Sequence, residues 1–258
     1  MFTTVPHPLT AALKQHDSQI SGDLTEPVPC GVPWTWLIIG GRGTGKTSLL
    51  LSWLQTMRSH YDTITLFSKT ARNDSETKRP LKSLIQELES DGRFYATLTE
   101  PDAVETMDRI QEYNAAFDAR RATGDKKKRK RQPRHLVILD DQLANLPKGR
   151  FKSPINDLVV NQRHMKISLV VLTQAYRSIP TIWRANAQLI SFFPTASAKE
   201  YAALEEDLSL EADRLRRVYD YCCANATSEQ GNGRPFLHIN LFDAARPVFY
   251  KRFDRIRE

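Results

Sequence analysis

Cysteine is scarce in this chain: three in 258 residues, Cys30 and the adjacent Cys222 and Cys223, with no metal-ligand spacing among them. They fit a reducing intracellular setting. No uninterrupted apolar run approaches the roughly 20 residues needed to span a bilayer, so no membrane span is expected. The opening MFTTVPHPLT lacks the basic start and apolar middle of a signal peptide. No segment repeats at the periods that mark solenoids or propellers. What remains, 40% apolar and 26% charged residues, has the balance of a soluble protein. The length suits one large α/β domain with decorations better than two independent domains.

The formal net charge is +7, which points towards a polyanionic partner. Its distribution narrows that reading. The run Lys126, Lys127, Lys128, Arg129, Lys130, Arg131 supplies six of those charges and leaves about one for the rest of the chain. Six like charges in a row repel one another and are normally solvated, so a basic loop insertion is expected over about 122–134. It fits a plain solvated loop, a contact to nucleic-acid phosphates or a nuclear-import signal.

The most informative stretch is WTWLIIGGRGTGKTSLLLSW, Trp34 to Trp53. A short apolar run predicts a buried strand, Gly40 to Thr47 fits G-x-x-x-x-G-K-[ST], and the following apolar residues support a helix. A P-loop has this context. A triphosphate needs many donors at short range, and glycine-rich backbone curls tightly enough to aim successive N–H groups at it. Gly40, Gly41, Arg42, Gly43, Thr44, Gly45, Lys46, Thr47 and Ser48 are therefore the expected nucleotide-binding residues. Lys46 places a positive charge on the outer phosphates, Thr47 offers a hydroxyl to Mg²⁺, and the helix start adds its positive dipole end. ATP and Mg²⁺ are the expected cofactors.

About 95 residues further on, HLVILDD predicts a strand that ends in two carboxylates, the Walker B pattern. Asp140 is expected to hold Mg²⁺ and Asp141 to orient or deprotonate the attacking water. The next predicted strand, Ser168 to Thr173, ends at Gln174, a polar residue suited to sensing the γ-phosphate. Arg163 and Arg184 precede predicted strands; a guanidinium is always charged and binds phosphate bidentately, although a surface ion pair explains either one taken alone.

Around these motifs, residues 1–33 read as an irregular N-terminal arm, broken by Pro27, Pro29 and Pro33, and 34–258 as the P-loop domain. Thr63–Phe67 and Phe94–Leu98 read as strands. Helical spacing covers roughly 80–90 and again the stretch from Pro101 to near Arg121, where Val104, Met107, Ile110 and Phe117 form the apolar stripe. Helices are expected at Ile155–Gln162 and Ile179–Asn186, and a strand at Ala187–Phe193. Two further helices follow Ser197. Phe236–Phe242 and Val248–Phe253 predict a closing β-hairpin, whose first arm alternates as a half-buried strand with His238 on the polar face.

Taken in order, GGRGTGKTS, VILDDQ, NQRHMKISLVVLTQ and IPTIWRAN resemble the FtsK–HerA superfamily of P-loop ATPases, and within it the genome-packaging ATPases of poxviruses, giant viruses, virophages and related double-stranded DNA viruses. The similarity covers about 34–253. It implies a RecA-like (ASCE) fold: a mostly parallel central sheet, helices on both faces and a C-terminal hairpin. It also implies a homo-oligomeric ring, pentamer or hexamer, that pumps double-stranded DNA into a preformed shell and is recruited by a capsid or portal-vertex protein. Lys46 and Thr47 then contact phosphate and Mg²⁺, Asp140 holds Mg²⁺, Asp141 acts on water, Gln174 is the sensor, and Arg184 or Arg163 reaches the nucleotide of a neighbouring subunit. Many superfamily members carry Glu where this chain has Asp141, one methylene shorter.

The implied function is an ATP-hydrolysing DNA-packaging motor, acting in a cytoplasmic viral factory or a nucleus, or associated with the virion. The alternatives are another nucleic-acid-dependent ATPase or helicase-like translocase, a small-molecule phosphotransferase, and a DNA-binding module with a silent nucleotide site. A GTPase switch lacks support, because no N-K-x-D stretch is present to read guanine. No base-reading motif is present either, so contacts to DNA are expected to be to phosphates and indifferent to sequence.

Overall fold

The computed structural model describes residues 3–5, 26–29, 32–68, 83, 85–86, 89–90, 94–97, 101–122, 132–141, 154–208, 210, 212–223 and 234–257. In chain order the strands are β1 (Thr3–Val5), β2 (Thr35–Ile39), β3 (Thr63–Ser68), β4 (Phe94–Thr97), β5 (His135–Asp140), β6 (Ile167–Thr173), β7 (Leu189–Phe192), β8 (Leu237–Asn240), β9 (Val248–Lys251) and β10 (Asp254–Arg257). The helices are α1 (Lys46–Met57), α2 (Pro101–Ala122), α3 (Pro154–Asn161), α4 (Thr181–Ala185), α5 (Ala198–Leu208) and α6 (Ala212–Cys223). The basic run 126–131 and most of the expected helix at 80–90 lie outside the described residues.

Two compact units divide the chain: Met1–Gly31, Thr35–Thr56 and Val171–Glu258 form the first, and Val32–Trp34 with Met57–Val170 the second. In the first unit β2 pairs in parallel with β7, and β7, β8, β9, β10 and β1 then follow as antiparallel neighbours. Parallel β2 and β7, with no free face, read as the apolar run WLII and as LISF, interrupted only by Ser191, and are buried at every position. Helix α1 buries Leu49, Leu50, Trp53 and Leu54, the one-sided stripe that a 3.6-residue period gives. Trp53 meets Trp36 of β2 edge to face at 5.4 Å.

The expected C-terminal hairpin is present and gains a third strand. Arg252, at φ 60°, turns the chain between β9 and β10; neither Gly nor Asn marks that turn in the sequence. The arm expected to be irregular supplies β1, whose Thr3, Thr4 and Val5 register against Arg257, Ile256 and Arg255.

The half-buried reading of β8 is corrected: Leu237, His238, Ile239 and Asn240 are all buried. Its polar face is covered by chain from the lead-in. His238 Nε2 lies 2.6 Å from the Pro27 carbonyl oxygen, an acceptor only, so that nitrogen carries the proton. Nδ1 then accepts from the Ser191 hydroxyl at 2.8 Å, and Ser191 Oγ accepts from Trp36 Nε1 at 2.9 Å. Asn240 Nδ2 donates to the Glu26 carbonyl at 2.7 Å. Burial pushes the His238 pKa down to about 4.

In the second unit β3 pairs in parallel with both β4 and β5. Strand β6 joins this set through His135 N, which donates to Lys166 O, and reaches Trp34 through Leu169 N, which donates to Trp34 O. Helix α2 buries Ala103, Thr106 and Ile110, whereas Val104 is 43% exposed. The inward face is thus rotated one residue from the stripe that the apolar positions indicate. It contains the polar Asn114, which donates from Nδ2 to Met165 O and accepts from His135 Nε2 on Oδ1.

Candidate functional site

Backbone geometry makes the P-loop in the first unit. β2 ends at Ile39, and Gly40 N donates to Thr173 O at 3.1 Å, tying the start of the loop to the end of β6. Three of the four glycines have a local reason. Gly43 and Gly45 sit at φ 75° and 107°, where a side chain is strained. A Cβ on Gly40 would lie 2.5 Å from Thr44 Oγ1 and 2.7 Å from Phe193 Cβ, so only glycine lets the loop pass so close. Thr44 closes the turn, donating from Oγ1 to Gly41 O at 2.9 Å, and Leu49 N to Gly45 O is the first helical bond of α1.

Lys46 is buried at the head of α1, its Nζ 2.6 Å from Gly40 O and 3.0 Å from Gly41 O. The loop therefore holds its cation among its own carbonyls. Thr47 and Ser48 follow in the first turn of α1, Thr47 half-buried and Ser48 exposed, and Arg42 is exposed on the loop. This curled backbone, leading into a helix start with an ammonium beside it, fits a polyphosphate.

One residue beside the loop escaped sequence reasoning. Arg234 lies against Gly43 and Gly45: its Nη1 is 3.9 Å from where a Cβ on Gly43 would stand, and its Cδ is 3.3 Å from the corresponding point on Gly45. Nothing in the local stretch Arg234-Pro235 indicates this, because 189 residues of chain separate it from Gly45.

In the second unit β5 ends at Asp140, whose carboxylate is 8% exposed and accepts from Ser68 Oγ at 2.8 Å on Oδ2. The hydroxyl fixes one oxygen and orients the other. Asp141 is exposed and has a positive φ of 51°, a conformation that Asp tolerates better than most residues. That turn solves the problem of two successive strand residues pointing to opposite faces: the chain leaves the strand between them. His135, at the other end of β5, is not a ligand. It accepts on Nδ1 from Thr63 Oγ1 at 2.7 Å, and burial pushes its pKa down to about 4. Gln174 follows β6 directly and is exposed.

The two candidate arginines have different surroundings. Arg163 is exposed in the turn after α3. Arg184, on α4, donates from Nη1 to Asp207 Oδ2 at 2.6 Å and from Nη2 to Thr181 Oγ1 at 3.3 Å, and its guanidinium lies over the Tyr176 ring at 5.2 Å. Tyr176 donates to the same Asp207 oxygen at 2.8 Å, and burial with that carboxylate pushes the phenol pKa up. Arg184→Ala is expected to destabilise the isolated chain by about 1–2 kcal/mol, since it strips a charged partner from Asp207. A melting temperature equal to that of the wild type would contradict this structural role.

Among the described residues no group of three His, Cys, Asp or Glu could hold a metal, and no helix is long and apolar enough to cross a membrane. Cys222 is buried, and desolvation raises the pKa of its thiol, as it does to about 12 for Cys223.

The fold is shared with viral and bacterial ATPases. The DNA-packaging ATPase B204 of Sulfolobus Turreted Icosahedral Virus matches with a TM-score of 0.53 at 17% identity, over 86% of this chain and 98% of its own. The genome packaging NTPase B204 of Sulfolobus turreted icosahedral virus 2, in complex with ATP-gammaS, gives 0.56 at 13% over the same shares. The cytoplasmic domain of the Type VII secretion ATPase EccC of Thermomonospora curvata gives 0.51 at 16%, over 89% of this chain and 26% of that one. No curated protein matches in sequence. The model of one family, Poxvirus A32 protein, matches residues 31–229, which take in the P-loop, both Walker B carboxylates, Gln174 and both candidate arginines, and the chain belongs to that family.

Proposed function

We propose that this protein is an ATP-hydrolysing motor that translocates double-stranded DNA into a viral capsid. The observation that carries the reading is the family match over residues 31–229, in a chain whose P-loop has the backbone form that a triphosphate needs. Two of the similar folds belong to proteins described as a DNA-packaging ATPase and a genome packaging NTPase.

The residues have separable roles. The N–H groups from Gly41 to Ser48 bind the phosphates, and Lys46 exchanges its two carbonyl contacts for the outer phosphate oxygens. Thr47 and Asp140 offer a hydroxyl and a carboxylate oxygen, hard donors suited to Mg²⁺. Thr47 and Asp140 would hold the ion, which when bound would supply positive charge against the phosphates. Asp141 accepts a proton from the attacking water on its carboxylate, and the Gln174 side chain reads the γ-phosphate.

Arg184 is already neutralised by Asp207 within its own chain. Arg163, exposed, is the better candidate to reach a neighbouring subunit's nucleotide in a homo-oligomeric ring. Capsid recruitment and work in a viral factory or nucleus follow from the same reading.

The test is ATP hydrolysis by the purified protein with and without duplex DNA. Turnover should rise with DNA and be indifferent to its sequence. Lys46→Ala should weaken nucleotide binding by about 2 kcal/mol, roughly thirtyfold, the loss of a charge-assisted contact. ATP consumption that depends on a nucleoside and ignores DNA would instead identify a phosphotransferase.

A further inference from the structure

A second cationic site lies in the first unit, away from the P-loop sequence. Arg214 of α6, Arg246 of the β8–β9 connection, and Arg255 and Arg257 of β10 converge on one concavity of about 740 Å³. The other described lining residues, Pro247, Val248, Phe249 and Ile256, are apolar, and no carboxylate is among the described residues that line it. Like charges gathered from three separate elements repel one another. Their convergence over an apolar floor is the arrangement of a site that receives an anion.

The cations are all arginine, and arginine binds phosphate and carboxylate oxygens in a planar, bidentate way that lysine does not. Arg255 and Arg257 are both exposed, on either side of the buried Ile256, so they share one face of β10 at alternate positions. β10 is paired with β9 on one side and β1 on the other. No backbone edge is left there for an acidic peptide to join as a strand. The one aromatic ring in the floor, Phe249, is 2% exposed and already has the Arg214 guanidinium over it at 5.3 Å. A nucleobase therefore finds no open face to stack on. What the described lining offers to a ligand is guanidinium groups over an apolar floor.

We propose that this arginine concavity binds the phosphate backbone of duplex DNA. The proposal rests on the translocase reading and gives that reading a contact surface distinct from the basic run at 126–131.

The experiment is duplex-DNA binding by the full chain, followed by fluorescence anisotropy across a salt series, for the wild type and the double variant Arg255→Gln/Arg257→Gln. Removing two phosphate contacts should weaken binding about tenfold near physiological salt and lower the slope of log affinity against log salt by about 2. Arg255→Lys/Arg257→Lys should keep the slope. Thermal melting checks the fold, and the double variant should melt no lower than the wild type, because repulsion has been relieved. Should it fail to fold, Arg257→Gln alone applies the same test with a slope change of about 1.

An unchanged affinity and slope in a variant that still folds would overturn the proposal and leave the translocase reading intact, since the wild type binds DNA. Loss of binding to a poly-glutamate peptide with DNA binding unaltered would overturn it in favour of an acidic protein partner. A wild type that does not bind duplex DNA at all would overturn both.

Discussion

Asp141→Asn should bind ATP as the wild type does and hydrolyse it at least about a hundredfold more slowly. A positioned general base contributes about 10² to 10⁴ to a rate, and a carboxamide cannot accept the proton. The substitution isolates that chemistry. Asp141 sits at φ 51°, where Asn is as well tolerated as Asp, so the turn after β5 survives and the side chain keeps its length. Ser68 and Asp140 are untouched, and their 2.8 Å hydrogen bond stays to hold the Asp140 carboxylate in place. Asp141→Glu completes the series: the base returns with one more methylene, in a backbone conformation that costs a longer side chain roughly 1 kcal/mol. It should recover part of the rate. Nucleotide affinity from equilibrium titration, and single-turnover hydrolysis at saturating ATP, separate the two effects. Turnover by Asp141→Asn within a few-fold of the wild type would assign water activation to another group.

The sequence makes local features plain and leaves those created by distant contact unmarked. The P-loop strand, turn and helix were readable because glycine spacing, an apolar run and a helical stripe lie within twenty consecutive residues. The Walker B strand, the strand before Gln174 and the short helix carrying Arg184 follow for the same reason. Where the sequence misled, a partner far along the chain had decided the matter. Alternation in β8 indicated an exposed polar face, but carbonyls at Glu26 and Pro27, more than 200 residues away, bind that face and bury it. Helix α2 turns Ala103 and Thr106 inward rather than Val104 because Asn114 has partners at Met165 and His135. Arg184 reads as either a phosphate-reaching arginine or half of a surface ion pair, and its partner, Asp207, is named only by the fold. The turn at Arg252 and the strand at Thr3–Val5 lack any turn or pattern residue, so nothing local could have shown them. Charge counting drew attention to Lys126–Arg131 and passed over four arginines that only the fold of the C-terminal strands brings together.

Acidification between pH 6.5 and 4 should destabilise this protein by several kcal/mol through two histidines. His135 and His238 are both pushed by burial from 6.5 to about 4, so each stays neutral in the fold while the unfolded chain takes up a proton. A depressed histidine pKa means that the unfolded state binds more protons across that window. Stability is therefore full above pH 6.5 and is lost as pH falls towards 4. A displacement of that size corresponds to roughly 3 kcal/mol per group, against a total of about 5–15 kcal/mol for a typical domain. The hydrogen bonds agree with the sign: in each ring one nitrogen donates to a carbonyl-type oxygen and the other accepts from a hydroxyl, and protonation would turn that acceptor into a second donor facing an oxygen. His238 has the stricter environment, since Ser191, which donates to its Nδ1, already receives the Trp36 N–H and is poorly placed to accept a second proton from the ring. His238→Gln should cost about 2–3 kcal/mol at pH 7.5, where Ser191 and Pro27 lose well-placed partners, and should flatten the pH dependence below 6.5. Urea midpoints at pH 7.5, 6.0, 5.0 and 4.5 for the wild type and His238→Gln measure both effects. Parallel pH curves for the two proteins would show that His238 is not the group that titrates.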